Sequence, residues 1–166
     1  NVITGVGFKS DLSWWKKRNS AADHALIDSV RGVTKHLVSN TTTAEVTASS
    51  GTELVSFDSD GFTLGATNQT NSINGPSASI VAWNWKAGGS ASSNSNGTIT
   101  SQVSANVDAG FSIVTYTGTG SNATVGHGLS KAPNMSWIKP RNFADNWIVT
   151  YDAVDGSDDQ AYLNLA

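Results

Sequence analysis

The feature that most constrains this sequence is an internal repeat. Residues 12–19 (LSWWKKRN) align with residues 135–142 (MSWIKPRN) at an offset of 123, from 135 − 12. Ser, Trp, Lys, Arg and Asn match in one register, which is hard to reach by chance. A long-period repeat is the signature of a chain built from structural modules. The sequence therefore predicts one module and the opening part of a second.

The repeat also decides the secondary structure of residues 21–28. By propensity alone this segment could form a short helix. The aligned segment, residues 146–152 (NWIVTYD), is β-branched and aromatic, as strands are. The alignment needs one inserted residue, after which Asp28 meets Asp152. We therefore predict strands in both copies.

Composition favours an all-β fold throughout. Only 14% of the residues are charged, and Ser, Thr, Asn and Gly supply most of the polarity, which suits short strands and turns. Asp60-Gly61, between two apolar runs, predicts a hairpin with a turn that needs positive φ. Further strands are predicted at residues 54–57, 62–64, 79–86, 99–105, 111–117 and 161–165.

The domain organisation follows from a change in composition. Residues 88–97 are nearly all Gly, Ala, Ser and Asn, too polar to order themselves by burial, and predict a linker or a long surface loop. We predict a first β-sandwich module at residues 1–89, a linker with a connecting strand at 90–107, and the opening strands of a second module at 108–166. Both copies look incomplete, so the chain is expected to be a piece of a longer protein.

Composition also argues against several classes of partner. The chain has 10 Lys and Arg against 13 Asp and Glu and no basic cluster, which argues against nucleic acid. No apolar run approaches the roughly 20 residues that cross a bilayer, and no signal peptide is recognisable. The absence of Cys excludes disulfides, thiolate metal sites and a cysteine nucleophile.

No pattern in the sequence indicates catalysis. His24, His36 and His127 lie far apart and share no metal-binding spacing. No GxSxG nucleophile motif is present. We assign no catalytic, cofactor-binding or metal-binding residue and expect neither a cofactor nor enzymatic activity.

Two groups of carboxylates leave calcium open as an alternative. Asp152, Asp155, Asp158 and Asp159 crowd around a glycine, and Asp58 and Asp60 lie beside another. Carboxylate oxygens are calcium ligands, but Asp and Gly also build ordinary turns. The turn interpretation is favoured because neither stretch has EF-hand spacing.

The tryptophans supply the candidate contact residues. Trp14 and Trp15 point to opposite faces of an extended strand, so one of them is expected to be exposed or covered by a neighbouring subunit. Trp83 and Trp85 share a face, which fits either core packing or an aromatic strip that stacks on sugars. Core packing is favoured for that second pair.

Residues 16–18 form the only basic run, and its last member recurs in the second copy. Arg18 aligns with Arg141, which indicates either a carboxylate partner inside each module or a solvated strand edge. The candidate surface or glycan contacts are therefore Trp14, Trp15, Arg18 and Arg141.

Five segments together resemble a known family: residues 7–18 (GFKSDLSWWKKR), 28–32 (DSVRG), 56–65 (SFDSDGFTLG), 81–89 (VAWNWKAGG) and 110–118 (GFSIVTYTG). They resemble modules repeated in virion and tail-fibre-like structural proteins of marine tailed bacteriophages. The resemblance implies a jelly-roll or lectin-like β-sandwich. Trp15 and Lys17 depart from the residues commonest in such modules.

The resemblance also implies a function. We expect a non-enzymatic virion structural protein, in a tail fibre or other particle appendage, that assembles as a homo-oligomer through residues 14–18 and 111–117. Its expected partners are other copies of itself, neighbouring virion proteins and a host surface glycan. A lectin-like glycan-binding module and a capsid decoration protein are the alternatives. A polysaccharide depolymerase would need two carboxylates across a cleft, and nothing in the sequence places such a pair.

Overall fold

The structure is a computed structural model that describes residues 1–66, 73–152 and 158–165. Within those ranges the chain is all-β, as predicted, and no helix occurs. The described residues form fourteen strands: β1 Val2–Thr4, β2 Leu12–Lys17, β3 Ala25–Asp28, β4 Lys35–Leu37, β5 Val46–Thr47, β6 Leu54–Asp58, β7 Gly61–Leu64, β8 Ile80–Trp85, β9 Ser92–Asn94, β10 Ser101–Asn106, β11 Phe111–Thr115, β12 Met135–Ile138, β13 Ile148–Asp152 and β14 Asp158–Tyr162.

The described residues contain no helix long and apolar enough to span a membrane.

In the part of the chain that the structure describes, the strands form four antiparallel sheets. The central sheet has the order β5-β4-β3-β2-β8 and the covering sheet the order β1-β7-β6. The side sheet is β11-β10-β9 and the C-terminal sheet is β12-β13-β14. The pairs within each sheet are antiparallel, as expected for strands joined by hairpins and short loops.

The main core lies between the central and covering sheets. Trp15 and Ile27 of the central sheet pack against apolar side chains of the covering sheet, and the buried members of this cluster are Trp15, Ile27, Leu54, Phe57, Phe62, Leu64 and Ile73. The Trp15 and Phe62 rings meet edge to face, with centroids 4.5 Å apart. Two sheets that bury their facing side chains in this way form a β-sandwich. The jelly-roll or lectin-like strand order stays a prediction.

The C-terminal sheet packs on the opposite face of the central sheet. Trp147, which precedes β13, is buried with Leu26 and Leu37, and Trp14 and Leu163 pack against them. The Trp147 indole Nε1 donates a hydrogen bond to the Val38 carbonyl at 2.8 Å. The central sheet is therefore covered on both faces, by the covering sheet on one and by the C-terminal sheet on the other.

The two copies of the repeat form hairpins with the same register. In the first hairpin, β2–β3, Leu12 lies opposite Asp28, and in the second hairpin, β12–β13, Met135 lies opposite Tyr151. Both strands are thus shifted by 123, from 135 − 12 and 151 − 28. Asp152 therefore corresponds to Ser29. The alignment of Asp28 with Asp152 is wrong, because the paired strands of the two hairpins align without an inserted residue.

Local hydrogen bonds repeat along with the register. The Ser29 amide donates to the Asp11 carbonyl, and the Asp152 amide donates to the Asn134 carbonyl. At the other end of the hairpin, Lys16 Nζ donates to the next residue's carbonyl, and its counterpart Lys139 Nζ does the same, both at 2.9 Å. The sequence repeat is therefore a structural repeat.

Most strand predictions are confirmed. The interpretation of residues 21–28 as extended chain is right for β3, and the helix alternative is wrong there. The predicted strands at residues 54–57, 62–64, 79–86, 99–105 and 111–117 correspond to β6, β7, β8, β10 and β11. The one predicted at 161–165 is right only for Ala161 and Tyr162, because β14 ends there. The sequence interpretation missed β1, β4, β5 and β9, which are two or three residues long.

The hairpin predicted at Asp60-Gly61 forms, but for a different reason. Asp58 pairs with Gly61, so the turn consists of Ser59 and Asp60. Gly61 is the first residue of β7, with φ of 154°, and a Cβ there would overlap the carbonyl of Ile3 in β1. Glycine is required because a neighbouring strand approaches closely.

The segment predicted as a linker contains ordered structure. Ser92–Asn94 forms β9, which pairs with β10. The Gly88 amide donates to the Ser104 hydroxyl at 3.0 Å, which ties the exit of β8 to the side sheet. Polar residues can order themselves here because hydrogen bonds to an adjacent strand replace apolar burial. The division into residues 1–89, 90–107 and 108–166 stays a prediction.

Candidate functional site

Four aromatic rings lie together on the face of the central sheet that packs against the C-terminal sheet. They form the aromatic cluster: Trp14, Trp83, Trp137 and His24. Trp83 of β8 lies directly opposite Trp14 in the strand ladder, and their ring centroids are 5.8 Å apart. Trp137 meets Trp14 edge to face at 5.5 Å. The counterparts Trp14 and Trp137 of the two hairpins therefore pack on each other.

Two members of the aromatic cluster, Trp83 and Trp137, are exposed to solvent. Trp83 is 47% exposed and Trp137 is 37% exposed, whereas Trp14 is half-buried between them. Trp83 does not lie in the core, so the favoured core interpretation is wrong for that residue. An exposed indole offers a flat apolar face on which a sugar ring can stack.

His24 fixes the orientation of the central ring. The Trp14 indole Nε1 donates to His24 Nδ1 at 3.0 Å, and the Asn40 side chain accepts from the His24 amide. Burial lowers the pKa of His24, the Lys16 charge lowers it further, and the Asp23 charge opposes them in part. The neutral imidazole is therefore favoured, and it is the form whose Nδ1 can accept a hydrogen bond.

Trp15 is not a surface contact. It is 2% exposed and lies in the main core, so its candidacy for the surface or for glycan is wrong. Trp14 and Trp15 do point to opposite faces, as predicted for a strand. Trp14 is covered by the C-terminal sheet of its own chain, through Trp137, and no neighbouring subunit is needed to explain its burial.

Arg141 belongs to an ionic clamp that holds the second hairpin. Its guanidinium contacts both carboxylate oxygens of Glu45, at 2.8 and 3.0 Å. Two backbone hydrogen bonds flank this pair: the Glu45 amide donates to the Arg141 carbonyl, and the Asp145 amide donates to the Thr42 carbonyl. The predicted carboxylate partner of Arg141 is thus present, but it comes from the first copy of the repeat.

Glu45 is shared by two arginines. Arg31, whose side chain is 4% exposed, also contacts Glu45 at 3.2 Å and forms an ion pair with Asp28. Burial raises the pKa of Glu45, but the hydrogen bonds and charges of Arg141 and Arg31 outweigh burial and lower it overall. The ionised carboxylate is the form that the clamp stabilises.

Arg18 differs from its repeat counterpart. Its side chain is exposed and has no ion pair in the described part of the chain, while its amide donates to the Ser79 carbonyl at 2.7 Å. The preceding strand, β2, is paired with β3 on one side and β8 on the other. Its pairing with β3 ends at Trp15, while Lys16 and Lys17 pair with β8 alone, so the strand-edge interpretation of residues 16–18 stays a prediction.

The carboxylates considered for calcium have structural partners where they are described. Asp58 accepts hydrogen bonds from Ser56 and Thr63, which lower its pKa, and Asp60 accepts from the amides of Gly5 and Gly7. Asp152 accepts from Asn134 at 2.9 Å. Asp155 lies outside the described residues, as do the side chains of Asp158 and Asp159. Within the described ranges, no three His, Asp or Glu side chains form a group that could hold a metal ion.

The other two histidines lie apart from the aromatic cluster. His36 Nδ1 is 3.8 Å from a Glu53 carboxylate oxygen, and burial is the largest cause of its lowered pKa. His127 Nδ1 accepts from the Leu129 amide. The structure therefore does not bring the three histidines together.

Sequence reasoning missed two residues of this region. Glu45 is one of only two glutamates in the chain, and that rarity was the one available signal. Trp83 shares a strand face with Trp85 in the sequence pattern, which favours the core for both residues. Its exposure depends on how far the C-terminal sheet extends over the central sheet, which no local pattern encodes.

These observations define the class of protein: an all-β chain with a β-sandwich core and an internally repeated hairpin. The whole chain, residues 1–166, matches DUF7483, a domain of unknown function, and the chain belongs to that family. No curated protein matches it. No solved structure matches it either.

Proposed function

We propose that this chain is a non-enzymatic structural module of a phage virion, in a tail fibre or another particle appendage. It works by packing repeated modules against one another and by symmetric contact with further copies. Its partners in this proposal are other copies of itself and neighbouring virion proteins. The five segments that resemble phage virion modules support this assignment.

The observation that carries the proposal is the contact between the two hairpins. Equivalent tryptophans pack on each other, Trp147 is buried between the copies, and the ionic clamp joins Glu45 to Arg141. Such contacts give one repeat the means to hold the next. Appendage proteins need this kind of repeat-to-repeat adhesion, and in this chain it is built without cysteine.

An edge strand offers a route to symmetric assembly. Among the described strands, β11 (Phe111–Thr115) pairs only with β10. An unpaired strand edge can add a strand from another copy. Of the two segments expected to mediate assembly, residues 111–117 fit this role better, because in β2 the residues up to Trp15 already have partners on both sides.

Labelling of purified particles tests the assignment. Gold-conjugated antibody to this chain should label a tail fibre or other appendage of the purified virions. Serum absorbed with the chain should give no label. Label over the capsid shell would favour the decoration-protein alternative, and absence of the chain from the particles would overturn the virion assignment. Sedimentation velocity should show an oligomer, and a monomer at micromolar concentration would contradict symmetric assembly.

Glycan binding is a second candidate function, and the exposed faces of Trp83 and Trp137 favour it. These rings flank Trp14 on one surface, which suits stacking on a sugar of the host surface. In this candidate function the glycan contacts include Trp83 and exclude Trp15, because Trp83 is exposed and Trp15 lies in the core.

A glycan array separates the two candidates. Trp83→Ala should abolish array binding if this surface holds a glycan, and it should leave folding intact because the side chain is 47% exposed. Val107→Ala, an exposed apolar residue in a turn outside the aromatic cluster, is the matched control. Wild-type protein that binds no glycan on the array would leave only the structural role.

A further inference from the structure

The face of the C-terminal sheet that points away from the central sheet is uncharged, and its side chains are exposed at Ile138 and Tyr162 and half-buried at Ile148. Trp137 contacts Trp14 and Val149 is 8% exposed, so these two point inward. Neighbouring residues on a strand point to opposite faces, which turns Ile138 and Ile148 outward.

Three apolar residues form a row across this outward face. Ile138 pairs with Ile148, and Ile148 pairs with Tyr162. Ile138 is 37% exposed and Tyr162 is 49% exposed. We call this row, with its neighbours Ser136, Thr150 and Gln160, the bare face. None of the six residues carries a charge.

The repeat shows which surface of the first hairpin corresponds to the bare face. With the shift of 123, Ile138 corresponds to Trp15 and Ile148 to Ala25, from 138 − 15 and 148 − 25. Trp15 is 2% exposed and Ala25 packs against the main core. The same side of the same hairpin is therefore core in the first copy and surface in the second.

The first copy also shows what covers such a face. The β6–β7 hairpin lies over it and contributes Leu54, Phe57, Phe62 and Leu64 to the core. These side chains come from two antiparallel strands joined by a two-residue turn. A two-stranded cover of that shape can pack face to face on the three-stranded sheet that carries the bare face, since both are antiparallel.

We propose that the bare face is the docking site for an antiparallel β-hairpin with large apolar side chains on one face, of the type that β6–β7 supplies to the first hairpin. This inference rests on the proposed structural function and names the partner through which one module engages the next. Covering Ile138, Ile148 and Tyr162 would complete a second sandwich core. The absence of charge on the bare face permits this without burying an unpaired ion.

A stapled peptide tests the proposal on the whole chain. The probe is residues 53–65 of this sequence, closed by a disulfide between cysteines added at its ends, because an isolated hairpin is only marginally stable. Titration should shift the methyl NMR signals of Ile138 and Ile148 saturably. Ile138→Asp should weaken binding at least about tenfold, as expected when an apolar anchor is replaced by a charge. Val107→Asp, at an exposed apolar residue elsewhere, should leave binding unchanged.

The other outcomes overturn the proposal. Absence of binding at millimolar peptide, or binding that Ile138→Asp does not weaken, excludes a hairpin site on the bare face. A peptide with the apolar and polar faces exchanged should not bind, and equal binding by it would show non-specific adhesion. Self-association of the free chain that Ile138→Asp abolishes would assign the bare face to a second copy instead. Failure here leaves the particle-labelling result unaffected, so the two proposals fail separately.

Discussion

The β2–β3 and β12–β13 hairpins have the same register and opposite environments. In the first hairpin, Trp15 is 2% exposed beneath the covering sheet, while its counterpart Ile138 in the second is 37% exposed. Their other faces are alike, since Trp14 and Trp137 pack on each other. Hairpin geometry is thus a local property that both copies share, whereas burial depends on whether another layer lies over the strands.

The comparison also shows how sequence differences preserve a contact. In the first hairpin the Ser29 hydroxyl donates to the Asp11 carboxylate at 3.0 Å, and in the second the Asn134 amide donates to the Asp152 carboxylate at 2.9 Å. Asn134 is the counterpart of Asp11 and Asp152 that of Ser29, so donor and acceptor have exchanged strands. The side-chain bond across the hairpin survives because one partner still donates and the other still accepts.

The largest expected effect separates the two counterparts directly. Trp15→Ala should lower the free energy of unfolding by about 3–5 kcal/mol, because it empties a packed site in the main core. Ile138→Ala should cost about 1 kcal/mol or less, since its side chain is partly solvated already. Urea denaturation of the two variants measures both values. Equal losses would mean that the second hairpin is buried as deeply as the first.

The ionic clamp should have the next largest effect. Glu45→Gln removes the carboxylate that Arg31 and Arg141 share and should cost about 2–3 kcal/mol, because both guanidinium groups lose a charged partner. The lowered pKa of Glu45 makes its contribution complete above the pKa of the unfolded chain and lost as pH falls through the folded pKa. Stability measured from pH 6 downward should therefore fall less steeply in the variant.

Arg141→Lys provides the matched control for the clamp. It keeps the charge but loses the two-pronged contact with Glu45, so part of the acid dependence should remain. An unchanged acid slope in Glu45→Gln would show that other carboxylates govern acid sensitivity.

Docking of the second hairpin should depend in part on the indole hydrogen bond of Trp147. Trp147→Phe keeps most of the apolar burial but leaves the Val38 carbonyl without its 2.8 Å partner, at a cost of about 1–2 kcal/mol. Amide hydrogen exchange should quicken in β12 and β13 more than in β6 and β7. Trp83→Phe, at an exposed indole, serves as the control, and uniform quickening in all strands would contradict separate docking.

The smallest expected effect is a pH dependence at the aromatic cluster. The folded chain lowers the pKa of His24 below its ordinary value of about 6.5, so stability is complete above that pH and declines as pH falls below it. Protonation also removes the acceptor for Trp14 Nε1. Tryptophan fluorescence of the folded protein should change in the same acidic range, and His24→Gln should abolish that change. A fluorescence transition that persists in the variant would assign it to another group.

Much of the architecture follows from the sequence alone. Turn residues, β-branched runs and low charge predicted an all-β chain, and the repeat predicted paired strands where propensity allowed a helix. These predictions succeed because alternation of side chains and strand pairing are local properties. The shortest strands, such as β5 with two residues, escaped because so few residues carry no periodic signal.

Which tryptophan is buried, and which arginine pairs with a carboxylate, follows only from the tertiary structure. The sequence indicated that Trp14 and Trp15 face opposite ways, but not which of them lies in the core. It aligned Arg18 with Arg141, yet only Arg141 meets Glu45, which is 96 residues away along the chain. Contacts at such separations depend on how whole sheets stack, and stacking is the sum of many weak apolar contacts that no single motif records. The repeat and the longer strands therefore follow from local sequence, whereas the stacking of the sheets decides which copies of the repeated residues lie in the core, pair with Glu45 or stay at the surface.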